Sequence, residues 1–191
     1  MRALIRRLIM RVLAHRFGRA GQDLVYNPFS SRIREKGKIF IGNRVFIGHG
    51  ADFSIHDRLD IGDDVLFGPD VMILSGNHPI DEIGQPINAS HQGINGRCRI
   101  EQDVWIGARV IIVGNVTIGE GAVIGANSLV NRDIPPYTVA VGTPCAPRRR
   151  RFSDEQLREH LMRLGRVETY DKIIARRTAG FVVRRDREVT A

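Results

Sequence analysis

Apolar residues return along this chain every six positions. Ile41, Ile47 and Phe53 set the beat, a two-residue shift follows, and Ile55, Ile61, Phe67 and Ile73 resume it. After a gap it runs unbroken through Ile100, Ile106, Ile112, Ile118, Ile124 and Val130. Four positions after most of these lies a second small or aliphatic one: Val45, Ala51, Leu59, Val65, Val71, Val104, Val110, Val116, Ala122 and Ser128. A period of six is wrong for a helix face and too regular for hairpins. It predicts a short strand and a tight turn, repeated. Three such steps close a triangular coil, and stacked coils bury a continuous aliphatic column. Glycine after the apolar residue, as in Ile47-Gly48 and Ile106-Gly107, frees the backbone at the corners.

The beat stops between Ile73 and Ile100. Residues 75–98 are rich in Gly, Asn, Pro, Ser and His and read as an inserted loop. A long loop in a repeat fold usually carries function. The two ends follow other patterns. Leu4, Ile5, Leu8, Ile9, Val12 and Leu13 share one side of a helix, with Arg2, Arg6, Arg7 and Arg11 largely opposite. This basic amphipathic segment, residues 1–20, suits either a cap on the open end of the coil or adhesion to anionic lipid. Near the other end, Ser153-Asp154-Glu155-Gln156 reads as a capping box. It predicts a helix from about 154 to 164, extendable to 177, with Leu157, Leu161 and Leu164 as its apolar stripe. The last residues, FVVRRDREVTA, fit a strand or a frayed tail. The expected organisation is thus 1–20, a repeat domain 21–147 with inserted loop 75–98, and a basic helical extension 148–191.

Composition narrows the class. At 191 residues the chain suits one domain with appendages, and 6% aromatics with 20 glycines argue against a core of bulky rings. No apolar run is long enough to span a bilayer. The N-terminus is charged too often for a signal-peptide core and lacks a clear cleavage site, so a cytoplasmic protein is expected. Cys98 and Cys145 are isolated, which predicts reduced thiols in packing roles. The net charge of +8 belongs to the ends, because residues 21–147 hold ten basic and fourteen acidic side chains. No nucleic-acid recognition motif accompanies it. Anionic membrane surface, or a phosphate-bearing cofactor, fits the basic ends.

The stretches LFGPDVMILSGNHPID (residues 66–81) and VWIGARVIIVGNVTIGEGAVIGANSLVNRDIPPYTVAVGTPC (residues 104–145) resemble the hexapeptide-repeat acyltransferases. The likeness covers roughly residues 39–147. It is greatest to the sugar O-acetyltransferases, the galactoside and maltose enzymes and their polysaccharide-modifying relatives. It implies an all-β core, a left-handed parallel β-helix, with flanking N- and C-terminal α-helices. It also implies a homotrimer with active sites between neighbours, acetyl-CoA as co-substrate and a sugar or glycan hydroxyl as acceptor. His78 matches the family's catalytic histidine. The chemistry agrees independently: transfer to a hydroxyl needs a neutral-pH base, and imidazole, with an ordinary pKa of about 6.5, is suited to it. Pro79 biases His78 toward an extended backbone.

The remaining roles come from the resemblance. The Ala108 backbone amide matches the donor facing the thioester oxygen, and Trp105 flanks the acetyl end. Gly125 and Ala126 leave room for pantetheine. Asn131, Arg132, Pro144 and Arg149 fall where the family holds the arm and the nucleotide, whereas Ala146 stands where some relatives carry another arginine. Asn77 and His56 are candidate acceptor contacts. His49 and His91 have no assigned role. The γ-class carbonic anhydrases use the same fold with three zinc-binding histidines, two in a close His-x4-His pair. Here successive separations from His49 are seven, twenty-two and thirteen residues, so no metal is expected. A metal-dependent enzyme, an N-acetyltransferase acting on an amino sugar and a non-catalytic scaffold stand as alternatives.

Overall fold

The computed structural model describes residues 14–89 and 93–182. Each six-residue step forms one short strand, and successive strands fall on three sides of a prism. Sheet A contains β1 (Arg19–Ala20), β3 (Ile39–Ile41), β6 (Leu59–Ile61), β11 (Cys98–Ile100) and β14 (Thr117–Ile118). Sheet B contains β4 (Phe46–Ile47), β7 (Leu66–Phe67), β12 (Trp105–Ile106), β15 (Val123–Ile124) and β17 (Thr138–Val141). Sheet C contains β2 (Arg32–Ile33), β5 (Asp52–Ser54), β8 (Met72–Leu74), β13 (Ile111–Val113) and β16 (Leu129–Val130). Pairing inside all three sheets is parallel, apart from β18 (Ala146–Arg150), which returns antiparallel along β17.

The six-residue beat becomes three inward columns. Ile41, Ile61, Ile100 and Ile118 are in register on sheet A. Ile47, Phe67, Ile106, Ile124 and Ala140 are in register on sheet B, and Phe53, Ile73, Ile112 and Val130 on sheet C. All are buried, as are the second residues of each step from Val45 to Ser128. Ser128 is tolerated there because its hydroxyl donates to Gly125 O at 2.7 Å and accepts from Gly142 N at 3.0 Å. The corners need left-handed backbone, and Asp64, Asp70, Asp103 and Asn127 supply it at φ of 55–59°. Corner length varies mainly between sheets C and A. The two-residue shift after Phe53 lies there, and so does the inserted loop.

Both ends are closed. Phe17 and Tyr26 meet edge-on at 5.8 Å below the first full coil. The amphipathic segment expected over 1–20 lies outside the described residues as far as Leu13, while Arg19 and Ala20 are already β1. At the other end, α1 (Asp154–Arg163) begins with the expected capping box between Ser153 and Gln156. It stops sooner than a helix reaching 177 would. Gly165 adopts φ +67°, its N–H reaches Met162 O at 3.0 Å, and Arg166 N reaches Leu161 O at 2.8 Å. This is a Schellman turn, which satisfies the last carbonyls and ends the helix. A second helix, α2 (Tyr170–Val182), follows and takes in Phe181 and Val182 of the open C-terminal stretch; residues 183–191 lie outside the described residues.

The two helices pack Leu157, Leu161 and Ile173 against Tyr137 at the corner between sheets A and B. Burying a leucine of this kind contributes roughly 2–3 kcal/mol. A polar pin reinforces the contact. The buried Glu120 carboxylate accepts from Tyr137 OH at 2.8 Å and from Arg166 Nη1 and Nη2 at 2.7 and 3.0 Å.

Candidate active site

The candidate residues fall on two different corners. The corner between sheets B and C stacks Pro69, Ala108 and Ala126 in successive coils, each after a glycine. Those glycines are there for close approach. A Cβ on Gly68 would lie 2.7 Å from Ala108 N, and one on Gly107 the same distance from Ala126 N. The Ala108 carbonyl accepts from Asn127 N at 2.9 Å, whereas no acceptor among the described residues takes the Ala108 N–H. An unspent, partly exposed backbone donor can serve an oxyanion. Trp105 stands beside this corner on the outer face of sheet B and is 53% exposed. It continues an outward apolar column, Phe46–Leu66–Trp105–Val123–Val139, which crosses every coil of the sheet. Gly125 and Pro144 lie on the same corner higher up, Pro144 exposed after a cis peptide bond.

The corner between sheets C and A carries the loop. After β8 the chain leaves the coil as β9 (Gly76–Asn77), which pairs antiparallel with β10 (Ile94–Asn95) before rejoining sheet A. His78 follows β9 directly and is exposed. Its backbone N–H donates to Asn77 Oδ1 at 2.9 Å, and its imidazole is without a hydrogen-bond partner among the described residues. Asp81 therefore does not orient it here. His56 sits one coil below, under the base of the loop. Its backbone N–H donates to Ser75 Oγ at 2.9 Å, and its ring fills the space a Cβ on Gly76 would need, only 2.4 Å from Cδ2. His56 is thus a support for the loop as well as a candidate contact. Asn131 and Arg132 are exposed at this corner, above the loop. His91 lies outside the described residues.

The two clusters stand at opposite ends of sheet C. Six residues separate one corner from the next, about 20 Å at ~3.3 Å per residue. A single chain therefore does not bring His78 to Ala108.

The basic segment runs antiparallel along β17. A bulge between Val139 and Ala140 shifts the register of β18, and Arg148, Arg149 and Arg150 are all exposed. Arg149 Nη1 donates to Arg150 O at 3.2 Å, and Arg150 pairs with Asp154. Arg148 Nη2 instead lies 3.8 Å from the place a Cβ would take on Gly142, beside the corner that carries Ala108. The family resemblance points to Arg149, with Arg148 its neighbour; the bulge at Arg148 has no signal in a run of four arginines. Elsewhere, burial pushes the Cys98 thiol up to about 12, consistent with a packing role. Among the described residues no group of three His, Cys, Asp or Glu side chains is placed to hold a metal ion.

Comparison with known proteins matches this fold. The family described as bacterial transferase hexapeptide (six repeats) matches residues 97–132. A galactoside O-acetyltransferase of Lactococcus lactis is 33% identical over 142 residues, 74% of this chain and 67% of that protein. A hexapeptide-repeat containing acetyltransferase of Vibrio cholerae, solved with acetyl-coenzyme A, superposes with a TM-score of 0.69 at 32% identity, covering 75% of this chain and 76% of that one. A maltose O-acetyltransferase of Clostridium difficile gives 0.66 at 36% identity, covering 73% of each chain. The chain spans about half the length of several other curated relatives, 51% in the galactoside O-acetyltransferase of Escherichia coli. The chain belongs to the hexapeptide-repeat acyltransferases.

Proposed function

We propose that the protein transfers the acetyl group of acetyl-CoA directly to a hydroxyl of a sugar or glycan precursor. The observation that carries this reading is the pairing of an exposed imidazole on one corner with a backbone N–H on another, each without a partner among the described residues. The imidazole of His78 takes the proton of the acceptor hydroxyl as its oxygen attacks the thioester carbon. The Ala108 N–H holds the resulting oxyanion. Collapse expels the coenzyme thiolate, which recovers the proton from the imidazolium, so no acyl-enzyme forms. Trp105, Gly125, Ala126 and Pro144 line the path of the donor arm. Arg149, with Arg148 beside it, offers guanidinium groups to its phosphates. Asn131 and Arg132 supply contacts from the other corner. Asn77 and His56 face the acceptor.

Because the two halves lie about 20 Å apart in one chain, the working site joins His78 of one subunit to Ala108 of the next. A homotrimer does this three times with one interface. The exposed apolar column on sheet B is the surface such an assembly buries, with Phe46 and Leu66 each 44% exposed. Among the described residues no helix is long and apolar enough to cross a membrane. A cytoplasmic enzyme whose basic ends meet an anionic membrane fits this reading.

The test is His78→Ala. Turnover, read as free thiol release from acetyl-CoA with a panel of sugars and nucleotide-sugars, should fall at least about 100-fold while acetyl-CoA affinity is kept. Full activity in that variant would remove His78 from the mechanism. A parent protein that neither binds nor consumes acetyl-CoA would leave only a scaffold.

A further inference from the structure

The two corners assigned to acetyl transfer leave sheet A unused, and its outer face is built differently. Its outward positions run Arg19–Phe40–Asp60–Arg99–Thr117 in register. Where sheet B presents a wholly apolar column, this one presents charge. The first turn of α2 stands opposite. Between them lies a cleft of about 520 Å³, lined among others by Arg19, Phe40, Arg99, Thr169, Lys172 and Ile173.

The charges around the cleft do not cancel. Asp60 already accepts from Arg58 Nη2 and Arg97 Nε, each at 2.8 Å. Asp63 accepts from Asn43 N at 2.8 Å. Glu101 is held by Arg176 at 2.9 Å, and Glu120 by Arg166 and Tyr137. Every carboxylate lining the cleft is thus hydrogen-bonded, although Asp63, held by the neutral Asn43, keeps its charge. Three cations have no such partner: among the described residues the side chains of Arg19, Arg99 and Lys172 make no ion pair or hydrogen bond, Arg19 feeling only the more distant charge of Asp63. Arg19 and Arg99 are three strands apart, about 14 Å at ~4.8 Å per strand. Lys172 lies across from them on α2. Phe40 and Ile173 give the floor an apolar patch.

We propose that this cleft is a binding site for an extended phosphorylated anion, one whose charged groups are spread along its length. A single carboxylate or phosphate can meet one end only. An oligophosphate, or a diphosphate ester with a further acidic group, can meet both guanidinium groups and the ammonium together. The site is separate from the donor groove, which lies on the corner between sheets B and C. It does not depend on the assigned reaction.

The probe is inorganic tripolyphosphate, titrated calorimetrically at low salt against the full chain, with orthophosphate for comparison. Tripolyphosphate should bind at least tenfold more tightly than orthophosphate and weaken as salt is raised. The double variant R99Q/K172Q should lose at least tenfold in tripolyphosphate affinity while keeping its melting temperature and its acetyl-CoA affinity. Both substitutions are at exposed side chains, so folding is preserved. H78A should bind tripolyphosphate as the parent does. No binding by the parent or unchanged affinity in R99Q/K172Q would overturn the site.

Discussion

Replacing Ala108 with proline removes one N–H and little else. Proline lacks that donor and fixes φ near −65°. The fold already accepts it at this rung: Pro69 follows Gly68 at the same corner one coil below, as Ala108 follows Gly107. The spacing matches too. A Cβ on Gly48 would lie 2.8 Å from Pro69 N, and one on Gly68 would lie 2.7 Å from Ala108 N, so the two corners stack alike. The Ala108 N–H has no acceptor among the described residues, so its loss orphans no carbonyl. Folding stability should therefore stay within about 1 kcal/mol of the parent, with the reduced freedom of the unfolded chain in its favour. Catalysis should respond quite differently. Losing one oxyanion donor costs about 100- to 1,000-fold in kcat, or roughly 2.7–4 kcal/mol of transition-state stabilisation. The KM for acetyl-CoA should change little, because the ground-state carbonyl is a weaker acceptor than the oxyanion. Steady-state thiol release and thermal melting, run side by side, read both quantities. A folded Ala108→Pro variant with kcat within about threefold of the parent would show that this amide does not face the oxyanion.

Other residues give further expectations. Glu120→Gln leaves Arg166 without its carboxylate and should cost about 2–3 kcal/mol in denaturant unfolding, less than a fully buried pair because Arg166 keeps some solvent contact. Burial pushes the Glu120 carboxyl up, but hydrogen bonds from Arg166 and Tyr137 outweigh it and hold it below the ordinary value of 4.5. Its contribution is present above that value and lost as pH falls through the folded pKa, so the stability gap between parent and Glu120→Gln should narrow in melts run below it. Gly165→Ala places a Cβ at φ +67° and should cost about 1 kcal/mol, lowering the melting temperature through the helical extension. Cys98 should resist thiol reagents until the protein unfolds, since it is fully buried and its thiol is pushed up to about 12; fast labelling in the native state would contradict the buried column.

The coil was legible because its signal is periodic and redundant. Ile41, Ile61, Ile100 and Ile118 stand in one column whether or not the insertion between Ile73 and Ile100 is counted, since a loop leaves at a corner and rejoins the next strand in register. The capping box at Ser153 was equally local. What was less legible depends on pairs of distant residues. Leu164-Gly165 is a stop signal, yet the leucine stripe around it suited a longer helix. His56 could be seen as a histidine near the site, but not as the ring packed under Gly76, because that contact joins successive coils across twenty residues. Which cations of the cleft lack a partner among the described residues depends likewise on contacts between distant positions, such as Glu101 with Arg176. Six-residue spacing fixes which side chains face outward and is silent about which of them are neutralised. The division of candidate residues between two corners has the same origin. Spacing places each residue on a side of the prism, and only the pairing of sheets shows that His78 and Ala108 cannot meet within one chain.

Subunit complementation tests that division most directly. His78→Ala and Ala108→Pro proteins are each expected to be nearly inactive, one lacking the base and the other the donor. Unfolded together and refolded as a one-to-one mixture, they should form mixed trimers in which about a quarter of the interfaces pair an intact His78 with an intact Ala108 amide from the neighbouring chain. Activity should then recover to about a quarter of that of refolded parent protein. A mixture that forms mixed trimers yet stays as inactive as its components would place base and amide in the same subunit, contrary to the two-corner site.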